Sequence, residues 1–294
     1  MRALCVLAAL ASLAFGAVVV LPEGFAPTVL VPERYLTIQS AIDAAPDGAA
    51  IHIGPGTFLE HLDIAKPLAL IGAPNGATRV DAKDAAAVIT VRNTRGVRIE
   101  GLTVAGGEYG ILVDESEAVQ LIANQVIDAR FVGIRLSRAS ALLKANKVRG
   151  ATGPYGMGIE LANTISRPAS LITGNTVTGA TQEGIILHNA HATIQANTVT
   201  SNGLRGVSIN EMSMALVWKN KISDNADAGI HVMDSSMAEI DGNQISRVRP
   251  GPEGKADGIR AFYYAEVMLG RNNRIEIDPD HAIVATFGAT VERR

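Results

Sequence analysis

Gly184-Ile185-Ile186-Leu187, then Ile194-Gln195-Ala196-Asn197-Thr198-Val199, then Gly206-Val207-Ser208-Ile209: within this stretch one phrase finishes and starts again. The glycine piece recurs at Gly110-Ile111, Gly133-Ile134, Gly158-Ile159, Gly229-Ile230 and Gly258-Ile259. The asparagine piece recurs at Asn124, Asn146, Asn175, Asn220, Asn243 and the pair Asn272-Asn273. An aliphatic stands three residues before each single Asn (Leu121, Leu143, Ile172, Ile194, Val217, Ile240) and another two after it (Val126, Val148, Val177, Val199, Ile222, Ile245). The phrase returns about every 22 to 30 residues, and a fixed period of this length means a solenoid of stacked units. Apolar and polar residues alternate within each phrase, as in Gly133-Ile134-Arg135-Leu136, which is the period of a half-buried strand. No unit holds a helical stretch of the length that helical repeats need. The units are therefore short strands, each pairing in parallel with its copy in the next coil at about 4.8 Å. Val and Ile fill such an interior well because branching at Cβ suits the pleat. The Asn residues are expected at the tight turns, in left-handed backbone, with their amides hydrogen-bonded along the stack.

Working outward, the composition fits one compact rod. Of 294 residues 47% are hydrophobic and only 4% aromatic, which suits a long core of small aliphatic side chains and excludes a disordered chain. A formal net charge of −3 speaks against nucleic acid as a partner. The one cysteine, Cys5, lies in the leader, so the rest of the chain can hold no disulfide. Residues 1–21 read as a signal peptide: a basic start, an apolar run and a small-x-small site at Ala14-Phe15-Gly16. The alternative is an uncleaved membrane anchor over residues 3–21, since the run is long enough to span. Export to the periplasm or beyond is expected either way, and Cys5 is too near the start to be a lipoprotein cysteine. Residues 22–33, with Pro22, Pro27 and Pro32, read as a linker, and residues 34–294 as a single domain. Thr37 is an expected N-cap, followed by Ile38, Ala41, Ile42 and Ala45 at helical spacing. That short helix would cover the open end of the solenoid, as terminal units must. Two loops interrupt the regular coils, at residues 149–157 and 246–257, and loops raised over a rigid scaffold are where function concentrates.

The run Thr37-Ile38-Gln39-Ser40-Ala41-Ile42-Asp43-Ala44-Ala45, the run Ile51 to Glu60 with Gly56-Thr57-Phe58-Leu59-Glu60, and Lys66-Pro67-Leu68-Ala69-Leu70-Ile71-Gly72 complete the picture. With the Gly-Ile and Asn-x-aliphatic repeats, the chain resembles the right-handed parallel β-helices of the pectin-lyase-like superfamily. Its opening is similar to the first coils of NosD-like periplasmic proteins and, more distantly, of pectin methylesterases. The likeness covers nearly everything after residue 33. It implies an all-β, right-handed parallel β-helix of about nine to ten coils with an N-terminal capping helix. Activity does not follow from it, because one scaffold hosts many functions. The superfamily's catalytic signatures are mostly missing: no paired aspartates of the methylesterases, no Asn-Thr-Asp with Gly-His-Gly of polygalacturonases, no Lys and Arg motif pair of pectate lyases. Asp278-Pro279-Asp280-His281 is similar to the Asp-Pro-His-Asp/Glu signature of mannuronan C5-epimerases, with the order altered.

The repeat also aligns a face. The outward residue of each Gly-Ile strand is in turn Leu112, Arg135, Glu160, Ile186, Ser208, His231 and Arg260; the residue before each Gly is Tyr109, Val132, Met157, Glu183, Arg205, Ala228 and Asp257. Arg135 should meet Glu160, Glu183 should meet Arg205, and His231 should meet Arg260. The first two are pairs that stabilise an exposed sheet with no ligand. His231 and Arg260 offer each other no opposite charge, and a neutral imidazole beside a guanidinium is a candidate base. Tyr109, Phe131, Tyr155, Phe262, Tyr263 and Tyr264, half of the chain's aromatics, gather on the same face. Rings beside charged groups suit a sugar, and Arg grips a uronate carboxylate in two-pronged fashion.

Two functional readings follow. In the first, the protein binds an acidic polysaccharide and extends to lyase or epimerase chemistry, with Arg205 and Arg260 neutralising a uronate and His231 removing its proton. Arg135, Tyr155, Glu160, Glu183, Asp257 and Tyr263 would bind the substrate. In the second, it is a non-catalytic periplasmic or surface accessory protein of the NosD-like kind that binds a protein partner. A monomer is expected, with no cofactor; the one offer of metal ligands is Asp224-Asn225-Ala226-Asp227, whose oxygens suit Ca²⁺.

Overall fold

The computed structural model describes residues 28–165 and 167–294; the leader expected at 1–21 lies outside them. Three parallel sheets run the length of a right-handed β-helix. One has 12 strands, from Thr28–Val31 to Thr290–Arg293, and the other two have 10 each. The Gly-Ile strands form one 10-stranded sheet, starting at Leu62–Ile64 and ending at Ile283–Ala285. The strands that follow each Asn form the other.

The solenoid makes about 11 turns, slightly more than the nine or ten expected. An added strand lies at the N-terminal end. Thr28–Val31, within the stretch read as linker, pairs with Ala50 to Ile53, and it can do so because Val29 and Val31 turn into the core between two flanking prolines. The helix forms as its sequence implies, over Ile38–Ala44, with the Thr37 side chain accepting from the Ser40 N–H. Ile38, Ala41 and Ile42 point inward and close the first coils. The Glu60 carboxylate accepts the Ile38 and Gln39 N–H groups, both at 3.0 Å. The Gly56-Thr57-Phe58-Leu59-Glu60 run thus fastens the cap to the second coil.

The repeated glycines are a matter of space. A Cβ on Gly184 would lie 2.4 Å from Val199 Cγ1 and 2.8 Å from the Gly206 carbonyl oxygen. The glycine of one strand and the valine after Asn therefore occupy one corner of the coil, which is why both recur together.

The Asn stack is the strongest polar feature of the interior. Asn124, Asn146, Asn175, Asn197, Asn220 and Asn243 are each 0–1% exposed. Each donates both its backbone N–H and its amide N–H to the Oδ1 of the next, ending at Asn273. The second amide hydrogen of each goes to a strand carbonyl, such as Asn197 to Ile172 at 2.9 Å. One expectation needs correction: the left-handed residue is the one before the Asn. Ala123, Ala145, Gly174, Ala196, Lys219 and Gly242 have φ between 53° and 67°, while the Asn amides face inward. A turn completed one residue early is what allows the amide to stay inside the stack.

Candidate functional site

The Gly-Ile sheet carries the predicted column in single file: Leu112, Arg135, Glu160, Ile186, Ser208, His231 and Arg260 are successive register partners. The candidate residues on it separate into two groups. Arg135 and Glu160 pair at 2.9 Å, and the Arg135 guanidinium lies 5.5 Å from the Tyr109 ring centroid. Tyr109, Phe131 and the exposed Tyr155 follow one another with centroids 6.3 and 6.5 Å apart. Burial pushes the Glu160 carboxyl up and Arg135 offsets this only in part.

The second group begins one rung further on, at Glu183 beside the strand that pairs with Glu160, and is denser. Arg260 is 5% exposed. Its Nε donates to Asp257 at 2.5 Å, and its two terminal nitrogens donate to the Asp227 carboxylate at 2.9 Å and the Asp227 carbonyl at 3.1 Å. Arg205 donates to the other Asp227 oxygen at 2.8 Å and to Glu183 at 3.4 Å. His281 Nδ1 reaches the free oxygen of Asp257 at 2.8 Å. The groups form one line: Glu183, Arg205, Asp227, Arg260 and Asp257 alternate in sign, and His281 stands at the end. Local backbone puts them there: Asp227 opens its strand at φ 62°, and His281 projects from the one-turn helix Pro279–Ala282, which Asp278 caps.

Electrostatics follow from this packing. Burial alone would raise the Asp227 carboxyl, but Arg260 and Arg205 together hold it below its usual range. Burial outweighs Arg205 at Glu183, whose carboxyl is pushed up. His231, 2% exposed, loses proton affinity first through burial and then through the two guanidiniums, so that it titrates at about 3. It is a neutral imidazole with a buried Nδ1 that has no partner. So weak a base is poorly matched to proton abstraction near neutral pH.

Pro252, Glu253 and Lys255 of the loop before the Gly258 strand line a pocket of about 220 Å³ together with Arg205, Asp227, His231, Arg260 and Phe262, among others. Beside it stands an aromatic ridge: Phe262 is 4.2 Å from Tyr263 and 4.8 Å from Phe287 between centroids. Tyr263, Tyr264 and Phe287 are 43%, 68% and 62% exposed, and all three have positive φ, at 42°, 60° and 53°. Bulky side chains in left-handed backbone are strained, and here the strain holds rings out in solvent.

The structure thus joins His231, Arg260, Arg205, Glu183, Asp257 and Tyr263, and sets Arg135, Glu160 and Tyr155 apart from them. His231 and Arg260 are register neighbours without opposite charge, and Arg260 finds its charge partners instead in Asp227 and Asp257. Asp227 was considered only as a calcium ligand and His281 only as part of a signature in the wrong order. The signal for Asp227 was a carboxylate standing between Arg205 and Arg260 at the start of the intervening strand. No pattern signals His281, since a cap outside the repeat delivers it. The oxygens offered to Ca²⁺ are engaged elsewhere: Asp224 by Arg247 at 2.6 and 2.7 Å, Asp227 by both arginines. Among the described residues no group of three His, Cys, Asp or Glu is placed to hold a metal ion, and no helix is long and apolar enough to cross a membrane.

Comparison with known proteins adds a family and a fold. The family described as periplasmic copper-binding protein (NosD) matches residues 73–226 and 144–280. The polygalacturonase of Erwinia carotovora ssp. carotovora is similar in structure, with a TM-score of 0.69, 13% identity, and 94% of this chain and 99% of that one covered. DFA-IIIase of Arthrobacter chlorophenolicus A6, without its lid, gives a TM-score of 0.60 at 15% identity, covering 85% of each chain. The pectate lyase Pel9A gives 0.59 at 12% identity, covering 86% of this chain and 71% of that one. At such identities the likeness is one of fold alone. No curated protein matches by sequence.

Proposed function

The chain belongs to the family of periplasmic copper-binding proteins (NosD), and on that premise we propose an exported binding protein whose pocket at Arg205, His231 and Arg260 takes a carbohydrate. The observation that carries this reading is the exposed, strained ridge of Tyr263, Tyr264 and Phe287 beside a pocket of charged side chains. Rings stack on the C–H faces of a sugar, while paired Arg and Asp groups direct donors and acceptors at its hydroxyls. The weakness of His231 as a base favours binding over proton abstraction. Both guanidiniums already face carboxylates, so an acidic polymer would bring a further negative charge to Glu183, Asp227 and Asp257. Hydroxyl recognition of a neutral glycan fits better than the uronate grip expected from sequence.

Copper in the family description needs donors of its own. His231 does not suit it, because the imidazole lies between two guanidiniums that repel a cation.

The test is binding to a panel of neutral and acidic polysaccharides by the whole protein and by a Tyr263→Ala/Phe287→Ala variant. We expect neutral glycans to bind with little salt dependence, and the variant to lose about tenfold or more, the equivalent of about 1.4 kcal/mol. Salt-sensitive binding confined to uronate polymers would overturn the hydroxyl reading. Failure of the wild type to bind any glycan would overturn the carbohydrate reading as a whole.

A further inference from the structure

On the 12-stranded sheet, away from the pocket, three soft donors stand in single file. His191, Met214 and Met237 each open a strand, and the register pairs His191 with Met214 and Met214 with Met237. Each precedes an alanine that is buried in the core, Ala192, Ala215 and Ala238, so each lies on the outer side of its strand, half-buried. Neighbouring donors are one rung apart, about 4.8 Å, a separation that long thioether side chains can close around a single ion. The imidazole is the informative member. Its Nε2 is buried and has no hydrogen-bond partner. A buried polar atom left without a partner calls for an explanation, and an unseen ion is one.

The chemistry narrows the ion. Two thioethers and an imidazole are soft, neutral ligands, which select monovalent copper over the hard cations that carboxylates and carbonyls prefer. The cluster lacks the flanking guanidiniums that disqualify His231, and the next register partner after Met237 is an acid, Glu266. Plain packing would account for two methionines covering a sheet; it does not account for a buried ring nitrogen in the same column with nothing to bind.

We infer that His191, Met214 and Met237 form a site for one Cu(I) ion. The choice of metal draws on the family description, while the donor set stands on this chain's own register. The site is separate from the glycan pocket, so each can fail without the other.

The full-length protein should be titrated anaerobically, in reductant, with Cu(I) held by a chromogenic competing chelator, and native mass spectrometry should give the stoichiometry. We expect one Cu(I) per chain, no binding of Ca²⁺, and a thermal midpoint that rises when the ion is added. Met214→Leu/Met237→Leu keeps volume and apolar character and should weaken Cu(I) at least a hundredfold; His191→Asn should do the same without removing sulfur. The Tyr263→Ala/Phe287→Ala variant should bind Cu(I) as the wild type does. Equal competition for Cu(I) by the wild type and the double Leu variant, or by neither, overturns the assignment.

Discussion

Two polar assemblies run along this rod, and they differ in how they are satisfied. In the Asn stack the same residue recurs in seven successive coils, and from Asn124 to Asn243 each amide finds its partner in its own copy one rung away. It is neutral throughout, and Asn197, at its middle, is 1% exposed. The line from Glu183 to His281 also crosses several coils, yet no two members in succession are alike. Its charges cancel by alternation, it keeps Arg205 at 22% side-chain exposure, and it leaves His231 Nδ1 with no partner. Repetition closes every hydrogen bond; departure from repetition leaves groups over, and those groups face a pocket.

The largest effect should come from breaking the repeated assembly. Asn197→Ala removes the acceptor of both the backbone and the amide N–H of Asn175. At about 1–3 kcal/mol for each buried group left unpaired, the expected loss is about 4 kcal/mol. Chemical denaturation measures it, and an unchanged midpoint would mean that the stack does not hold the coils together. Asn273→Ala, at the partly exposed end, should cost clearly less.

Asp227→Asn comes next. It keeps the shape and tolerates left-handed backbone, but takes away the charge shared by Arg205 and Arg260. Unpairing buried charges costs about 3–5 kcal/mol, and about 3 is expected because the amide oxygen still accepts. A loss under 1 kcal/mol would show that Asp257 and Glu183 suffice for the two arginines.

The third test separates the assemblies by pH, since only one of them titrates. His231 takes a proton near 6.5 in the unfolded chain and at about 3 when folded. Below pH 6.5 the unfolded state therefore binds more protons, and stability is lost as pH falls towards 3. The loss is about 1.4 kcal/mol per unit, or about 2 kcal/mol between pH 7 and pH 5. Glu160 and Glu183, raised by burial, act in the opposite sense as they take up protons. The His231 contribution is thus read as the difference between wild type and His231→Gln, which should lose that much less over the same range. Identical pH profiles for the two would mean that His231 is solvated.

Much of this was legible in advance for a definite reason. The repeat spells out strands, register and inward faces, so the column from Leu112 to Arg260, the Thr37 cap and the Arg135–Glu160 pair could all be placed from the residues. The left-handed position was misplaced by one residue, from Asn to the residue before it, because composition suggests Asn for such backbone while the geometry of the inward amide demands the shift. The extra coil at Thr28–Val31 was read as linker because its prolines mask a run of four. Asp227 and His281 stand out in the sequence only as parts of other motifs, because neither lies in the outward column of the repeat.

What the sequence determined by itself is everything with a period: parallel coils, a small-aliphatic core, the neutral stack and the order of outward residues on each sheet. A period suffices there because each coil needs only its neighbours. What the tertiary structure alone decided is which charges meet. Arg260 lies 33 residues from Asp227 and His281 lies 24 from Asp257, and whether such groups pair depends on side-chain reach across rungs and on a cap folded over the last coil. The same holds for the nitrogens left without partners, His231 Nδ1 and His191 Nε2, since only three-dimensional packing removes water from an atom and withholds a substitute.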